Sequence, residues 1–264
     1  MNISKNDGKI GILLFIVSCL FLGITTYIAF TKIGVWGDEI FSIQIIQYSL
    51  PQMFHCIVID VHPPLYYLIY KLIAKIVLLM NITTNMALIG KFVSILPFYL
   101  LFVLGLTKIR KNFNWLTAGI FTLAIISMPQ MMNFATEIRM YSWGLFFLTA
   151  SFIISYEILN NSSNTKNWIL LTILTICSAY THYYCAIGSF CLYLFLLIQL
   201  LRDNPNVKNW LISAAIAVIA YIPWLNIVIN QTNTILNNYW IPAITVKNLF
   251  YYVFFIFSPR MGKK

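Results

Sequence analysis

The chain has 264 residues, of which 60% are hydrophobic and only 9% are charged, far below the roughly 25% charged residues of a soluble globular domain. Its net charge of +10 comes from Lys and Arg residues in small groups between apolar runs, which is typical of membrane-protein loops and not of a basic nucleic-acid-binding face. The composition therefore predicts an integral membrane protein whose main solvent is the lipid bilayer and which does not bind nucleic acid.

The first predicted span is Ile10–Phe30, which contains no charged residue and is as long as the about 20 apolar residues that cross a bilayer as a helix. It lacks a small-residue cleavage site and is too long for the core of a signal peptide. We therefore interpret it as a retained signal anchor.

The next segment, about residues 31–86, is predicted to be the first outer loop. Within it, Leu65–Met80 is short for a span and places Lys71 and Lys75 on one helical face, the pattern of an interfacial amphipathic helix. If this helix lies flat, the basic cluster at 108–111 falls on the cytoplasmic side, where Lys and Arg are in excess. We therefore predict a cytoplasmic N-terminus, and a plasma membrane is the simplest location.

The later apolar runs predict further spans, one of which is long enough for two helices with a polar turn at Thr181–Tyr184, because such a turn belongs at the interface. A second outer loop is expected at about 230–248, and Leu249–Phe257 is too short to span. The predicted fold is an all-α polytopic membrane protein, one domain over 1–264, with about seven to eight transmembrane helices plus interfacial amphipathic helices in the first outer loop. The later runs are Ala87–Thr107, Phe113–Thr136, Met140–Tyr156, Asn167–Leu201 and Asn209–Ile229.

Four of the seven acidic residues map to the outer face in this topology: Asp38, Glu39, Asp60 and Glu137. Ionisable groups at a membrane are costly and often functional. A carboxylate at Asp38, close to the end of the first span, can accept a proton from an attacking hydroxyl. The alternative is that Asp38 caps a helix over Ile40–Tyr48, with Glu39 in its first turn.

Asp60 belongs to the sequence DVHPPLYY, in which Pro63 and Pro64 restrict the backbone just before the flat helix. An imidazole held at His62 can donate a hydrogen bond to a phosphate. The alternative is an interfacial His with only a hydrogen-bonding role.

Two later outer segments carry polar residues. Glu137, Arg139 and Tyr141 precede and begin the fourth span, and the planar guanidinium of Arg139 suits phosphate or carboxylate. The alternative is a local Glu137–Arg139 ion pair with Tyr141 in an aromatic belt. His182 lies in the predicted turn and is the weakest candidate.

These motifs together resemble the membrane glycosyltransferases of family 39, of the GT-C class. The resemblance rests on the Asp-Glu pair after the first span, Asp-x-His-Pro-Pro-Leu-Tyr-Tyr, Glu-x-Arg-Met-Tyr and Thr-His-Tyr in this order, and extends through Tyr221–Leu225 and Tyr239–Pro242. The family includes dolichyl-phosphate-mannose protein mannosyltransferases and bacterial aminoarabinose transferases. It implies transfer of a sugar from a polyprenyl phosphate to a lipid, glycan or protein acceptor at the outer face.

The resemblance also implies roles for residues. Asp38 is expected to be the base and Glu39 to support it or help hold a divalent cation, although no ligand spacing in the sequence demands a metal. Asp60, His62, Glu137, Arg139, Tyr141 and His182 are expected to bind substrate, with His62 and Arg139 near the lipid phosphate.

The chain is about half as long as usual members of that family, so the resemblance implies a C-terminally truncated or minimal form. Two other hypotheses stay open: a transporter or flippase of lipid-linked intermediates, and an inactive or partner-dependent transferase fragment. Transporters place ionisable residues and broken helices near mid-membrane, whereas the charges here are predicted at helix ends.

Overall fold

A computed structural model describes residues 5–203, 207–237 and 245–255, which within these ranges form helices and no strand. The Tyr239–Pro242 motif lies outside the described residues. Helix α1 (Lys5–Thr31) contains the predicted first span. Three shorter helices then fill the predicted first outer loop: α2 (Gly37–Ile45), α3 (Leu50–Ile59) and α4 (Leu65–Leu79).

The next long helix is α5 (Met86–Leu104), which continues through a π-helical turn (Gly105–Ile109) into α6 (Arg110–Asn112). The chain then forms α7 (Trp115–Ser127) and α8 (Pro129–Thr136). The predicted span over 113–136 contains a bend that the sequence analysis did not include, because the chain turns by 79° between these two helices. Pro129 lacks an amide hydrogen and disfavours helical backbone at Met128, which is extended at φ −71° and ψ 122°.

The remaining helices are α9 (Tyr141–Asn160), α10 (Thr165–Thr181), α11 (Tyr183–Asp203), α12 (Lys208–Asn237) and α13 (Val246–Phe255). The predicted turn is confirmed, since α10 ends at Thr181 and the backbone of His182 is extended at φ −157° and ψ 139°. The predicted loop at about 230–248 is partly helical, because α12 runs on to Asn237 instead of ending near Ile229 and α13 begins at Val246.

Several of these helices can cross a membrane. Five are long and apolar enough, and the bent pair α7 and α8 makes a sixth if it is one span. Helix α10, with 17 residues, lies at the lower limit of the about 17–25 residues expected. A multi-pass membrane protein is therefore supported. By helix length and apolar composition, however, the described residues provide five or six spans and not the predicted seven to eight.

Helix α1 packs chiefly against α7, and glycine makes this contact possible. A Cβ atom added to Gly11 would lie 2.2 Å from the carbonyl oxygen of Trp115, and one added to Gly119 would lie 2.3 Å from that of Gly11. Small residues allow two membrane helices to approach this closely. The two backbones are therefore in direct contact at this crossing.

Helix α4 forms where the flat helix was predicted, and one of its faces lies in the main core. Tyr66, Tyr67 and Tyr70 are fully buried, and the hydroxyls of Tyr66 and Tyr70 bond Ser94 and the Met86 carbonyl at 3.1 and 2.6 Å. The opposite apolar side chains of α4 are exposed. The helix is thus anchored on α5, and its flat placement at the membrane surface stays a prediction.

Lys71 makes contacts that its spacing from Lys75 did not predict. Its ammonium group donates to the carbonyl oxygens of Ile46 and Tyr48, the former at 2.7 Å. These carbonyls follow the C-terminus of α2, where a cation is favourable. Lys71 therefore ties α4 to α2, while Lys75 is exposed.

Candidate functional site

The candidate site lies where four chain segments meet: the start of α2, the turn between α3 and α4, the connection from α8 to α9, and the turn between α10 and α11. Ion pairs, hydrogen bonds and ring contacts join residues from all four segments. We call this group the outer cluster; its members are Asp38, Glu39, Asp60, His62, Glu137, Arg139, Tyr141 and His182.

Glu39 is the buried anchor of the outer cluster, with only 2% of the residue exposed. Its Oε1 atom accepts hydrogen bonds from Lys91 Nζ at 2.6 Å and from the Ile138 amide at 2.7 Å. Its Oε2 atom accepts the Trp36 amide at 3.1 Å. One carboxylate therefore joins α2, α5 and the segment that carries Arg139, and these contacts favour a positioning role for Glu39 over direct contact with substrate.

Asp38 is the accessible acid of the cluster, since 49% of its side chain is exposed. Asp38 is not the N-cap that the alternative predicted, because α2 begins at Gly37 with Trp36 at the N-cap position, whereas Glu39 does lie in the first turn. The Asp38 carboxylate lies 3.7 Å from Arg139 Nη2, which is an ion pair but too long for a hydrogen bond. The carboxylate is thus held near a cation and remains open to an incoming hydroxyl.

Arg139 is buried, with 3% of the residue exposed, and its side chain forms a hydrogen bond with that of Tyr141. Its Nη1 atom lies 3.4 Å from the Asp38 carbonyl oxygen, and its Nε has no hydrogen-bond partner in the described part of the chain. The predicted alternative, a local pair with Glu137, is not what forms, because the ion pair of Arg139 is with Asp38. A buried donor without a partner is costly, so the free Nε–H group of Arg139 could bind an anion.

The guanidinium also lies against the imidazole of His62. Arg139 Nη2 is 3.3 Å from Nδ1 and 3.4 Å from Nε2 of the ring. Because Nη2 of Arg139 is almost equally far from the two ring nitrogens of His62, it does not lie in the lone-pair direction of either one. The contact is therefore packing of the guanidinium against the imidazole and not a directed hydrogen bond. Burial lowers the pKa of Arg139, but the Tyr67 and Tyr141 oxygens and the nearby carboxylates outweigh burial and raise it.

Asp60 holds His62 from the other side. Its Oδ2 atom is 3.1 Å from His62 Nδ1 and accepts the Tyr67 hydroxyl at 3.4 Å. Burial works against ionisation of Asp60, but the hydrogen bond and charge of His62, the Val61 amide and the charge of Arg139 together lower its pKa. Asp60 is therefore a charged acceptor that fixes the orientation of the imidazole.

Glu137 directly follows α8 and lies near the other acids of the outer cluster. Burial raises the pKa of its carboxyl group, and the negative charges of Glu39 and Asp38 raise it further. The charge of Arg139 and a hydrogen bond from Trp36 act in the opposite direction but do not cancel the shift. Glu137 is therefore the second carboxyl group that could take up a proton at this site.

His182 approaches the cluster from the turn between α10 and α11. Its ring centroid is 5.9 Å from that of His62 and 5.8 Å from that of Tyr141. Burial, followed by the charges of His62 and Arg139, lowers its pKa to about 4. The ring is therefore neutral at pH 7, and because Nδ1 accepts the Tyr184 amide at 3.2 Å, its proton is on Nε2. His182 thus offers a neutral donor to the site.

The expected divalent cation finds little support in these side chains. Both oxygens of Glu39 already accept protein hydrogen bonds, and within residues 5–203, 207–237 and 245–255 no group of three or more His, Cys, Asp or Glu side chains is placed to hold a metal. The residues present therefore do not fit a cation between Asp38 and Glu39.

Sequence reasoning missed Lys91 and Gln231. Lys91 is 6% exposed, and the signal for it was a lone lysine within the apolar run Ala87–Thr107, since such a residue usually has a partner. Gln231 donates to the carbonyl oxygens of Ile57 and Val58 at 2.9 and 3.2 Å. Nothing in the sequence indicates this contact between α12 and α3.

In comparisons with known proteins, no family, no curated protein and no solved structure matches this chain.

Proposed function

We propose that this protein is a membrane glycosyltransferase that moves a sugar from a polyprenyl phosphate to an acceptor hydroxyl, with Asp38 as the base. The observation that carries the proposal is the pairing of two groups: Arg139, a buried cation whose Nε donor has no partner in the described part of the chain, and Asp38, a half-exposed carboxylate 3.7 Å away. The guanidinium of Arg139 can bind a phosphate, and the carboxylate of Asp38 can accept the proton of a hydroxyl.

The reaction would use these groups in one displacement. The acceptor oxygen forms a bond to the anomeric carbon while the bond from that carbon to the phosphate oxygen breaks, and the phosphate leaves with the electron pair. The acceptor proton passes to Asp38. Arg139 stabilises the charge on the leaving phosphate through its planar donors, and a phosphate needs no proton donor to leave.

The remaining members of the outer cluster would position these two groups. Glu39 fixes α2 against the amide of Ile138, the residue before Arg139, and so sets where Asp38 lies relative to the guanidinium. Asp60 orients His62, and the Nε2 proton of neutral His182 could bond a phosphate or sugar oxygen. The proposed acceptor is a lipid, glycan or protein hydroxyl at the outer face of the plasma membrane, with the N-terminus in the cytoplasm.

The test is reconstitution of the full chain in liposomes with labelled polyprenyl-phosphate sugars. We expect transfer to a hydroxyl acceptor, and loss of at least about 100-fold in rate for Asp38→Asn, the lower end of what a general base contributes. Asp7→Asn, an acid outside the outer cluster, is the matched control and should keep its rate. Full activity of Asp38→Asn would overturn the assignment of the base.

Two further variants separate the roles. Glu137→Gln tests the second carboxyl group; if it abolishes transfer while Asp38→Asn does not, Glu137 is the base. Arg139→Lys keeps the charge but loses the planar fork, so we expect weaker binding of the lipid donor. Movement of labelled lipid across the membrane without any glycosylated product would instead favour a flippase, and donor binding without turnover would favour a partner-dependent fragment.

A further inference from the structure

A second polar site lies at the other end of the same helices. The π-helical turn after α5 and the short helix α6 meet the end of α9 and the start of α10 around a pocket of about 450 Å³. All the residues that line it are polar. We call it the lysine–asparagine pocket, after Lys108, Lys111, Asn112, Glu157, Asn164 and Asn167.

This pocket is far from the outer cluster. Lys108 follows Lys91 along α5 and the π-helical turn, about 25 Å away at 1.5 Å per residue. Glu157 follows Tyr141 along α9 by about 24 Å on the same basis. Both distances approach the roughly 30 Å thickness of a hydrocarbon core. The pocket therefore opens at the opposite membrane face from the outer cluster.

The charges of the pocket favour an anion. Its one carboxylate, Glu157, is already satisfied by Lys108 Nζ at 2.8 Å and Asn112 Nδ2 at 3.1 Å. Lys111 is exposed and makes no ion pair with any carboxylate in the described ranges of the chain. The neighbouring Arg110 lies over the Trp115 ring at 5.0 Å, so the rim carries more positive than negative charge.

The local backbone adds donors to this charge. Asn164 caps the N-terminus of α10 by accepting the Lys166 amide at 3.1 Å, so the positive end of that helix faces the pocket. The π-helical turn over Gly105–Ile109 contains Lys108, and such turns are frequent at functional sites. The oxygens of a phosphate ester can accept hydrogen bonds from all three kinds of donor present here: lysine, asparagine amides and the N-terminus of a helix.

We propose that the lysine–asparagine pocket binds the phosphate headgroup of an anionic glycerophospholipid of the facing leaflet. A lipid is the favoured source of the phosphate because the pocket opens at the membrane boundary, where each Lys near the surface attracts anionic lipid. The headgroup phosphate contacts Lys111, and the asparagine amides bond its ester and hydroxyl oxygens. This site does not depend on the proposed transfer reaction.

The experiment uses the full chain in phosphatidylcholine nanodiscs that contain phosphatidylglycerol, with bound lipid counted by native mass spectrometry. We expect Lys111→Gln to weaken phosphatidylglycerol binding about fivefold, Lys111→Arg to keep it, and Lys75→Gln to leave it unchanged. Lys75 is the matched control, since it is an exposed lysine on α4. The exposure of Lys111 means that its substitution should not unfold the protein.

Two outcomes would overturn the proposal. Equal binding losses for Lys111→Gln and Lys75→Gln would show that phosphatidylglycerol responds only to overall charge. Displacement of the lipid by an equal concentration of soluble glycerol phosphate would assign the pocket to a free phosphate ester instead of a membrane lipid.

Discussion

The buried ion pair between Lys91 and Glu39 gives a sharp prediction for Lys91→Met. Methionine replaces the lysine stem with similar volume but leaves the Glu39 carboxylate, which accepts Lys91 Nζ at 2.6 Å, without its counter-charge. Removing one partner of a buried ion pair costs about 3–5 kcal/mol of unfolding free energy. At about 2–4 °C per kcal/mol for chains of this size, the thermal midpoint should fall by roughly 6–20 °C.

The assay is thermal unfolding of the purified chain in nanodiscs, with Lys75→Met as the control because Lys75 is exposed. The double variant Lys91→Met/Glu39→Gln removes both charges. It should lose less unfolding free energy than the two single variants together, and the difference, the interaction energy of the pair, should be about 0.5–3 kcal/mol. An effect of Lys91→Met no larger than that of Lys75→Met, or strict additivity in the double variant, would refute the reasoning.

Three other predictions test separate features. The pKa of His182 is lowered from 6.5 to about 4 in the folded protein. Between pH 4 and 6.5, His182 is therefore protonated in the unfolded state but neutral in the folded state. Stability should therefore fall as the pH drops from about 6.5 to 4, and His182→Gln should flatten this slope in thermal unfolding. Gly119→Ala should lower the thermal midpoint, since its Cβ would lie 2.3 Å from a backbone oxygen of α1, whereas Gly23→Ala, with no atom within 4 Å, should be neutral or stabilising. Single cysteines at Asn112 and Asn237 should label from opposite membrane faces, and labelling from one side would contradict the flat placement of α4.

Local signals in the sequence predicted much of the fold. The prolines before Leu65 and the polar residues around His182 mark real helix boundaries, because proline and hydrogen-bonding side chains act on their own backbone. The bend at Met128 was missed because the run over 113–136 is uncharged throughout, although Pro129 carried a signal for it. Apolar composition indicates which segments can lie in a bilayer, but it does not indicate where a helix bends.

Contacts between distant segments account for what the sequence did not predict. The polar residues after Ile229 were interpreted as a loop, yet α12 continues, since Gln231 finds buried partners in the carbonyl oxygens at the end of α3. The residues of the outer cluster could be predicted from sequence motifs. The burial of Glu39 could not, because it depends on the ion pair with Lys91. A motif does not specify a partner 52 residues away.

The three-way contact of Glu39 also bears on how the chain is made. Its partners Lys91 and Ile138 follow it by 52 and 99 residues, and at about 5–20 residues per second the ribosome needs roughly 5–20 s to reach the second. Until then the carboxylate must stay hydrated at the membrane surface, because an unpaired charge is not buried in lipid. Helix α2 can therefore take its final place only after α5 and the segment following α8 have been inserted, when about half of the chain has been synthesised.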